Sequence, residues 1–348
     1  MGAFEPFDFS AGARGPPLLV VLGSDHEGAP GQDGRVRYAG ISDFLRLLPD
    51  GTAVETLNLA RQMRAGKQAL KMKQHLDLSR FHCVLNLVTD PDQHPRTLVM
   101  MKKLLAGYRG KVVNRPEAVL KTTRDQVAVT LAGIEGLTVP RVLRLRGSRP
   151  DAGRRAVERA GLRFPLLIRR SGTHSGKTVT FAGDGETLSA AIEEKGDYFA
   201  TEFVDFVSAD GLYRKYRIFV FGGRVVFRHM LAGDNWNIHA RQRVEFMASR
   251  QSLLNEEKLL FAGGKKPFPA PVQSTLQALA TRFPLDFFGV DFGIDRHGQA
   301  VLFEANATMN FFPFMTDPRF DYVRQCIAPS QRAALDLLGL DAPLPEPA

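Results

Sequence analysis

The architecture of this chain follows most directly from Phe288-Gly-Val-Asp-Phe-Gly-Ile294 and, shortly after it, Val301-Leu-Phe-Glu-Ala-Asn306. Both stretches alternate between apolar and polar or small residues, which is typical of β-strands with one buried face. The joint between them, Asp295-Arg-His-Gly298, has the length and the final glycine of a four-residue hairpin loop. The sequence therefore predicts a β-hairpin near the carboxyl end of the chain.

One face of this hairpin carries two carboxylates and an amide. If Ile294 pairs with Gln299, Asp291 lies diagonal to Glu304 across the two strands, about 7–8 Å away. Asn306 continues the same face, and such oxygen ligands suit Mg²⁺. We therefore expect a metal site here. The alternative is an ordinary half-polar sheet face, in which glycines inside the strand would be unfavourable.

A second candidate site is a glycine-rich segment that follows an apolar strand. Arg169 and Arg170 end the strand that begins near Phe164, and the segment Ser171-Gly-Thr-His-Ser-Gly-Lys177 comes next. Glycines allow close approach of the backbone to a ligand, and hydroxyl and amide groups can bind phosphate oxygens. The spacing differs from that of a Walker A loop. We expect a polyphosphate site, with a mobile hairpin tip as the alternative.

The amino-terminal region, residues 16–113, alternates between strand and helix signals. Apolar runs at Leu18–Leu22, Phe81–Val88 and Lys111–Val113 predict strands, and residues 41–48, 53–78 and 97–108 have helical content. Such alternation predicts an α/β fold with a doubly wound parallel sheet. Ligands of such sheets bind beyond the carboxyl ends of strands, here around residues 23–26 and 89–92.

The remainder divides into a central region, residues 114–205, and a carboxyl-terminal region, residues 206–340. A helix is predicted from Arg124 to about Ile134, and strands near 198–204, 216–220 and 224–230 precede a helix over 272–282. Residues 1–15 and 341–348 have the composition of loose ends. We expect three lobes with a disordered amino-terminal tail.

Composition excludes several classes of protein. The 348 residues are 44% apolar and 24% charged, as in globular proteins. Two cysteines without motif spacing, Cys83 and Cys326, exclude a disulfide scaffold and a cysteine zinc site. No apolar run approaches the ~20 residues that span a bilayer, and no signal peptide is evident. We expect a cytoplasmic protein without a membrane partner.

The net charge of +9 raises the question of nucleic-acid binding. The basic residues are spread along the chain, and their densest cluster, from Arg141 to Arg163, contains no aromatic residue on which bases could stack. Attraction of an anionic small molecule explains the charge equally well. We therefore expect no nucleic-acid partner, and the oligomeric state stays open, with a homodimer as one alternative.

The order of these features resembles that of the ATP-grasp superfamily over residues 16–315. The strongest part is Gly289-Val-Asp291 followed, thirteen residues after Asp291, by Glu304-Ala-Asn306, which resembles the Asp…Glu-x-Asn magnesium set of that family. The pattern is most similar to the branch of glutathione synthetase and ribosomal-protein glutamate ligase. The resemblance implies ATP as cofactor, clamped between two lobes, and two Mg²⁺ ions, with Mn²⁺ as an alternative metal.

The resemblance also assigns nucleotide-binding positions. Arg124, or else Lys121, and Arg169 stand where the family usually has ATP-binding lysines, and arginine keeps the charge but not the geometry of lysine. The other matched positions form the glycine-rich lid, the adenine-binding hinge and the ribose acid. They are Ser171, Gly172, Ser175, Gly176 and Lys177 in the lid, Glu202, Phe203 and Val204 in the hinge, and Asp205 as the acid.

Four residues are implied to act on the substrates. Arg217 matches a strand arginine that touches substrate or phosphate, and Arg228 is a candidate for stabilising an acylphosphate or holding the acid. Asn237 would face the phosphates, and His239 is a weaker candidate. For Arg217 the alternative is a solvated strand residue, and for His239 it is an ordinary surface position.

The activity implied by the resemblance is ligation of a small-molecule or peptide acid to an amine through an acylphosphate, with release of ADP and phosphate. The alternatives are an ATP-grasp kinase and a nucleotide-binding regulatory protein without turnover, which the two lysine-to-arginine departures suggest. The aromatic segment Met309–Met315 either lines an apolar acceptor pocket or belongs to the core.

Overall fold

A computed structural model describes residues 17–26, 29–30, 36–37, 40–59, 76–173, 179–192 and 194–340. Both predicted loose ends, 1–15 and 341–348, and most of the predicted helical stretch after residue 59 lie outside the described residues. Within the described part, no helix is long and apolar enough to cross a membrane.

The described strands are numbered in chain order. They are β1 (Leu18–Leu22), β2 (Ala29–Pro30), β3 (Val36–Arg37), β4 (Val54–Asn58), β5 (Cys83–Asn86), β6 (Lys111–Val113), β7 (Leu137–Thr138), β8 (Val142–Ser148), β9 (Leu166–Arg170), β10 (Val179–Ala182), β11 (Gly196–Glu202), β12 (Tyr213–Phe221), β13 (Arg224–Gly233), β14 (Phe287–Ile294) and β15 (Ala300–Asn306).

The described α-helices are numbered in the same way. They are α1 (Pro95–Leu104), α2 (Pro116–Val119), α3 (Arg124–Leu131), α4 (Pro150–Ala160), α5 (Gly185–Ala191), α6 (Gln251–Ala262), α7 (Ala270–Arg282) and α8 (Ile327–Leu338). Short 3-10 helices cover Phe44–Leu47, Leu78–Arg80 and Pro318–Cys326, and a π-helix covers Arg243–Met247.

The amino-terminal sheet is parallel, in the order β4-β1-β5-β6. The α/β fold with a parallel sheet is thus confirmed. The predicted helical content at residues 54–58 is wrong, because this segment is β4, paired along its whole length with β1. Its alternation Val-Glu-Thr-Leu-Asn leaves a half-buried strand at the sheet edge, where β-branched residues are favourable.

A second sheet, in the order β10-β9-β11-β8, is antiparallel throughout. Helices α4 and α5 cover one face of it, and Leu145, Val157, Leu188 and Ile192 close a small core between sheet and helices. The strand that ends in Arg169 and Arg170 is therefore central in this sheet, with its end directed toward the glycine-rich segment.

The third sheet has the order β13-β12-β14-β15-β7 and contains the predicted hairpin as β14 and β15. The expected pairing of Ile294 with Gln299 is wrong: Ile294 pairs with Ala300, so the loop spans residues 295–299. Asp295 fixes this longer loop by accepting hydrogen bonds from the backbone of His297 and Gln299.

A β-bulge changes the register beyond that point. Phe292 pairs with Leu302, but Asp291 pairs with Glu304, so Phe303 is the extra residue. Asp291 and Glu304 therefore lie directly opposite each other rather than on the expected diagonal. Leu302 pairs with Phe292 and faces the other side of the sheet from Glu304.

Candidate active site

The described residues enclose a cleft between the second and third sheets. It holds about 210 Å³ and is lined by β9 and β11 on one side and by β12, β14 and β15 on the other. A narrower cavity continues from it toward the amino-terminal sheet, where Asp90 and Asp92 line it. Arg124, Arg169 and Glu304 line both spaces, so they mark the boundary between them.

A row of polar side chains crosses four strands of the third sheet, and three of its members, Arg217, Asp291 and Glu304, line the cleft. His229 of β13 pairs with Arg217 of β12, Arg217 pairs with Asp291 of β14, and Asp291 pairs with Glu304 of β15. Directly paired residues point to the same face of a sheet. The third sheet thus presents an imidazole, a guanidinium and two carboxylates in one line.

Asp291 is the most constrained member of the row. Both its oxygens accept hydrogen bonds from Arg217, at 2.6 Å from Nε and 2.8 Å from Nη2, and Nζ of Lys215 lies 3.8 Å away. Burial raises the pKa of Asp291, but the charges and hydrogen bonds of Arg217 and Lys215 outweigh it, and the pKa is below its usual range. The carboxylate is therefore ionised at neutral pH.

Glu304 and Asn306 are also engaged. Glu304 accepts a hydrogen bond of 2.6 Å from Nη2 of Arg124, whose Nη1 donates to the carbonyl of Phe303. The amide oxygen of Asn306 accepts from the backbone of Thr308 and Met309 and from the Thr308 hydroxyl. Asn306 thus pairs with Gly289 on the shared face while it also caps the turn that follows β15.

The donor chemistry fits Mg²⁺ only together with an anion. Two carboxylates and an amide oxygen are suitable hard ligands, but both carboxylates are paired with arginine. The lining of the cleft has four cationic side chains and three acidic ones, so it has an excess of one positive charge: Arg124, Arg169, Lys215 and Arg217 against Glu202, Asp291 and Glu304. The phosphates of a nucleotide would draw the arginines away and release carboxylate oxygens for a metal.

Arg169 is well placed to contact such phosphates. It lies at the end of β9 and donates to the carbonyl of Thr173 at 3.3 Å. Burial, followed by the neighbouring charge of Arg124, lowers the pKa of Arg169 to about 10. Ser171 and Gly172 lie next to it, with Gly172 at a positive φ of 75°. The predicted lid residues Ser175, Gly176 and Lys177 lie outside the described residues.

Aromatic rings form the opposite end of the cleft. Phe181, Phe203 and Trp236 contact one another, with ring centroids 5.5–5.7 Å apart. Phe203 and Trp236 line the cleft together with Glu202 and Val204, and aromatic rings of this kind can pack against a planar ligand. Trp236 is the chain's single tryptophan.

Glu202, the last residue of β11, and Asp205, which follows shortly after it, make contacts outside the cleft. The Glu202 carboxylate accepts from the backbone N–H of Arg163 at 2.8 Å, so it also fixes the segment before β9. Asp205 is exposed, accepts from the backbone of Val207, and lies outside the described lining of the cleft, 3.9 Å from Arg296.

Asn237 and His239 both line the cleft, on the segment that follows β13. The backbone N–H of Asn237 donates to the side chain of Asn235, and that of His239 donates to Gln242. These bonds fix the backbone of the segment, and Nζ of Lys215 adds a further bond to the carbonyl of Ile238.

Arg228, the candidate for stabilising an acylphosphate or holding the acid, is not among the described residues that line the cleft. It is buried, donates to the carbonyls of Phe311 and Pro313, and lies 3.9 Å over the ring of Phe314. Burial lowers the pKa of Arg228 to about 10. Its contacts hold the aromatic segment against β13, and within that segment Met309 and Phe311 are core residues.

Two residues of the site were not among the sequence-based candidates. Lys215 and His229 share the face of Arg217 by pairing and alternation, and the alternation of β12 was a signal for Lys215. The Nε2 atom of His229 is buried without a hydrogen-bond partner among the described residues. Burial, with the charges of Arg217 and Arg228, lowers the pKa of His229 well below its usual value, so the imidazole is neutral.

Sequence comparison finds no matching protein-family model and no matching curated protein. Solved structures do match. VanG D-Ala:D-Ser ligase from Enterococcus faecalis superposes with a TM-score of 0.53 at 12% identity, over 93% of this chain and 100% of that one. N5-carboxyaminoimidazole synthetase from Staphylococcus aureus, complexed with ADP, superposes with a TM-score of 0.51 at 12% identity, over 95% of this chain and 79% of that one. Both of these enzymes are ATP-grasp proteins.

The chain has the ATP-grasp fold. At this level of identity the likeness concerns the fold, and function has to be argued from the residues of the cleft. In this chain those residues are the charged row across the third sheet, the two arginines at its edge and the aromatic wall.

Proposed function

We propose that this ATP-grasp chain is an ATP-dependent carbon–nitrogen ligase that joins a carboxylate to an amine and releases ADP and phosphate. The observation that carries the proposal is the row Arg217–Asp291–Glu304, which lies in the same cleft as the aromatic pair Phe203 and Trp236. One end of this cleft suits a base and the other suits phosphates and a metal.

The nucleotide would lie along the cleft. Its base would pack against Phe203 and Trp236 beside the backbone of Glu202 and Val204, as expected for the hinge. Its phosphates would point toward Arg124 and Arg169, with the segment from Ser171 to Lys177 as the lid. Because both guanidiniums line the boundary between cleft and cavity, they are suited to neutralise the terminal phosphates.

Asp291, Glu304 and Asn306 would hold the magnesium ions. When bound, the metal neutralises phosphate charge and orients the terminal phosphate for displacement. The side chains supply positioning and charge, as in other phosphoryl transfers. Arg217, once released from Asp291, would bind the carboxylate that attacks the γ-phosphorus.

The first step forms a bond between a carboxylate oxygen and the γ-phosphorus, and ADP leaves. In the second step the amine attacks the acyl carbon and phosphate leaves with its electron pair. The departing phosphate takes up the proton lost by the amine nitrogen, so it leaves as hydrogen phosphate and the step needs no further base. Arg228 would act by holding the aromatic segment, and Asn237 and His239 by lining the cleft.

Amino acids and short peptides are the first compounds to test as acid and amine, since the Enterococcus neighbour is a D-Ala:D-Ser ligase. The experiment incubates the purified protein with ATP, Mg²⁺ and pairs of these compounds. ADP release and the mass of new amide products are measured. We expect Asp291→Asn and Glu304→Gln to abolish the release, and Glu245→Gln, in the π-helix outside the cleft, to leave it unchanged.

Wild-type-like turnover in both variants would contradict the assigned metal ligands. A stable phosphorylated product that forms without an amine would instead identify a kinase. The pairing of both carboxylates with arginine also favours a second candidate, a nucleotide-binding protein without turnover. MgATP binding with no ADP release from any pair would support that candidate, and the fluorescence of Trp236 reports such binding directly.

A further inference from the structure

A second cavity lies away from the nucleotide cleft, on the outer side of β13. It encloses about 710 Å³, within the range of small-molecule sites. Its wall combines the first residues of β13 with the end of α6, the exposed side of α7 and the start of α8. The lining residues that matter most for its chemistry are Arg224, Phe227, Phe261, Lys265, Gln273 and Arg332.

The inner wall of this cavity is apolar. Val226, Phe227 and Cys326 are buried, and Leu260 and Phe261 are partly exposed toward the space. Burial raises the pKa of the Cys326 thiol to about 12, so this side chain is a neutral apolar surface. An apolar ligand that covers Leu260 and Phe261 would remove their remaining surface from water, which is favourable.

The rim is positively charged. Arg224, Lys265 and Arg332 stand around the opening, and the single acid of the lining, Asp336, is 2.8 Å from Arg224. The side chains of Lys265 and Arg332 make no ion pair and no hydrogen bond with any residue that the structure describes. They come from the turn after α6 and from α8, so an anionic head group between them would meet two uncompensated cations.

A polar group in the wall also lacks a partner. The side-chain oxygen of Gln273 on α7 is shielded from solvent and accepts no hydrogen bond from the described residues. Its neighbour one turn later, Gln277, donates to the carbonyl of Gly223. The Nε2 of Gln273 is not shielded in this way and makes no hydrogen bond with the described residues, so it can donate to an anionic ligand.

We propose that this cavity binds an amphiphilic carboxylate, with an acyl chain along Phe227, Leu260 and Phe261 and the head group between Lys265 and Arg332. The apolar wall needs an apolar body, and the two unpaired cations need an anion. A strongly charged ligand such as a nucleotide would leave the apolar wall uncovered. The site shares no lining residue with the nucleotide cleft, so it stands independently of the proposed ligase activity.

The test uses decanoate with a carbon-13 label in its carboxyl group and follows its NMR resonance on titration with the full-length protein. Saturable binding is expected, and 1-decanol, which has the same chain without the charge, should bind more weakly. The double variant Lys265→Gln/Arg332→Gln should weaken decanoate binding about fivefold to tenfold, since each rim charge contributes modestly. Gln273→Glu should weaken it as well, by placing a like charge in the wall.

The matched control is Lys266→Gln, which removes the neighbouring exposed lysine outside the cavity and should leave the affinity unchanged. Saturating MgATP should not displace decanoate, which separates this site from the cleft. Equal affinity for decanoate and 1-decanol, or an unchanged affinity in the double variant, would overturn the proposal. Displacement of decanoate by a hexaglutamate peptide at lower concentration would do so too, in favour of a peptide-docking surface.

Discussion

At the scale of single residues, Glu257 is a fully buried carboxylate whose stability depends on its hydrogen-bond partners. It has no exposed surface, and its two oxygens accept four hydrogen bonds, from the backbone of Met230, from both terminal nitrogens of Arg243 and from the hydroxyl of Tyr322. A buried ion pair is tolerable only when its remaining hydrogen-bonding positions are satisfied. Here the carboxylate ties β13, α6 and the π-helix together beside the cleft.

Replacing Glu257 by glutamine should destabilise the protein strongly. The substitution leaves the Arg243 charge buried without a counter-charge, for which losses of ~3–5 kcal/mol are typical. The adjacent Glu256 is the matched control: it is partly exposed and pairs with Arg214, and Arg214 keeps Asp210 when Glu256→Gln removes one partner. We expect that variant to lose less than ~1 kcal/mol, measured by urea unfolding. Equal losses in the two variants would contradict this account of Glu257.

The sequence predicts the two carboxylates of the candidate site, whereas it predicts only some of the cationic and imidazole side chains that lie beside them. Asp291 and Glu304 stand out because a carboxylate within an apolar strand is costly to bury unless a cation pairs with it. Lys215 and His229 reach the same face only through the pairing of β12 with β14 and β13. Pairing joins residues distant in the chain, and local alternation cannot supply it.

At the scale of elements, the hairpin shows where local reasoning ends. Both strands, Phe287–Ile294 and Ala300–Asn306, follow from alternation within one residue. The bulge at Phe303 cannot be predicted in this way, because the extra residue leaves the alternation of apolar and polar residues in each strand looking regular. Yet this bulge sets Asp291 opposite Glu304. The ring of Phe303 packs on that of Phe206 with centroids 4.5 Å apart, and this contact accommodates the side chain of the extra residue.

Gly293 makes this arrangement sensitive to substitution. A Cβ atom there would lie 2.7 Å from the rings of both Phe206 and Phe303, so Gly293→Ala must displace both rings or shift the strand. Overpacking of this kind costs ~1–3 kcal/mol, and a shifted Phe303 would move Glu304 away from Asp291. We expect lower stability in urea unfolding and weaker MgATP binding in titrations of Trp236 fluorescence.

The control for this element is Gly183→Ala, where a Cβ would meet no atom within 4 Å. Its stability should change by less than about 0.5 kcal/mol. If Gly293→Ala behaved like Gly183→Ala in both measurements, the packing of Phe303 would not be what positions Glu304.

At the scale of the whole molecule, the cleft depends on contacts between sheets. Nη1 of Arg144, on β8, donates to Asp92 beyond the amino-terminal sheet at 2.6 Å, and Gln93 donates to the carbonyl of Gly172 at 2.7 Å. Asn114, at the end of β6, bonds the backbone of Asp286 and Phe287 at the start of β14. The parallel sheet thereby reaches both the glycine-rich segment and the hairpin of β14 and β15.

This assembly collects more cations than anions at one place, and the excess has a measurable consequence. Arg124, Arg169, Lys215 and Arg217 surround Asp291 and Glu304, so a bare divalent cation would enter a positive site, whereas a triphosphate would enter a complementary one. We therefore expect ATP alone to raise the melting temperature and ATP with Mg²⁺ to raise it further, while MgCl₂ alone has no effect.

The Asp291→Asn variant separates the two contributions to that shift. It removes one buried negative charge and frees Arg217, so the shift with ATP alone should persist or increase. The additional gain from Mg²⁺ should disappear, because a principal carboxylate ligand is lost. Thermal melts of both proteins with ATP, MgCl₂ and their mixture give these shifts directly. A magnesium gain retained in full by Asp291→Asn would place the metal elsewhere, and a shift with MgCl₂ alone would mean that the cations do not control entry to the cleft.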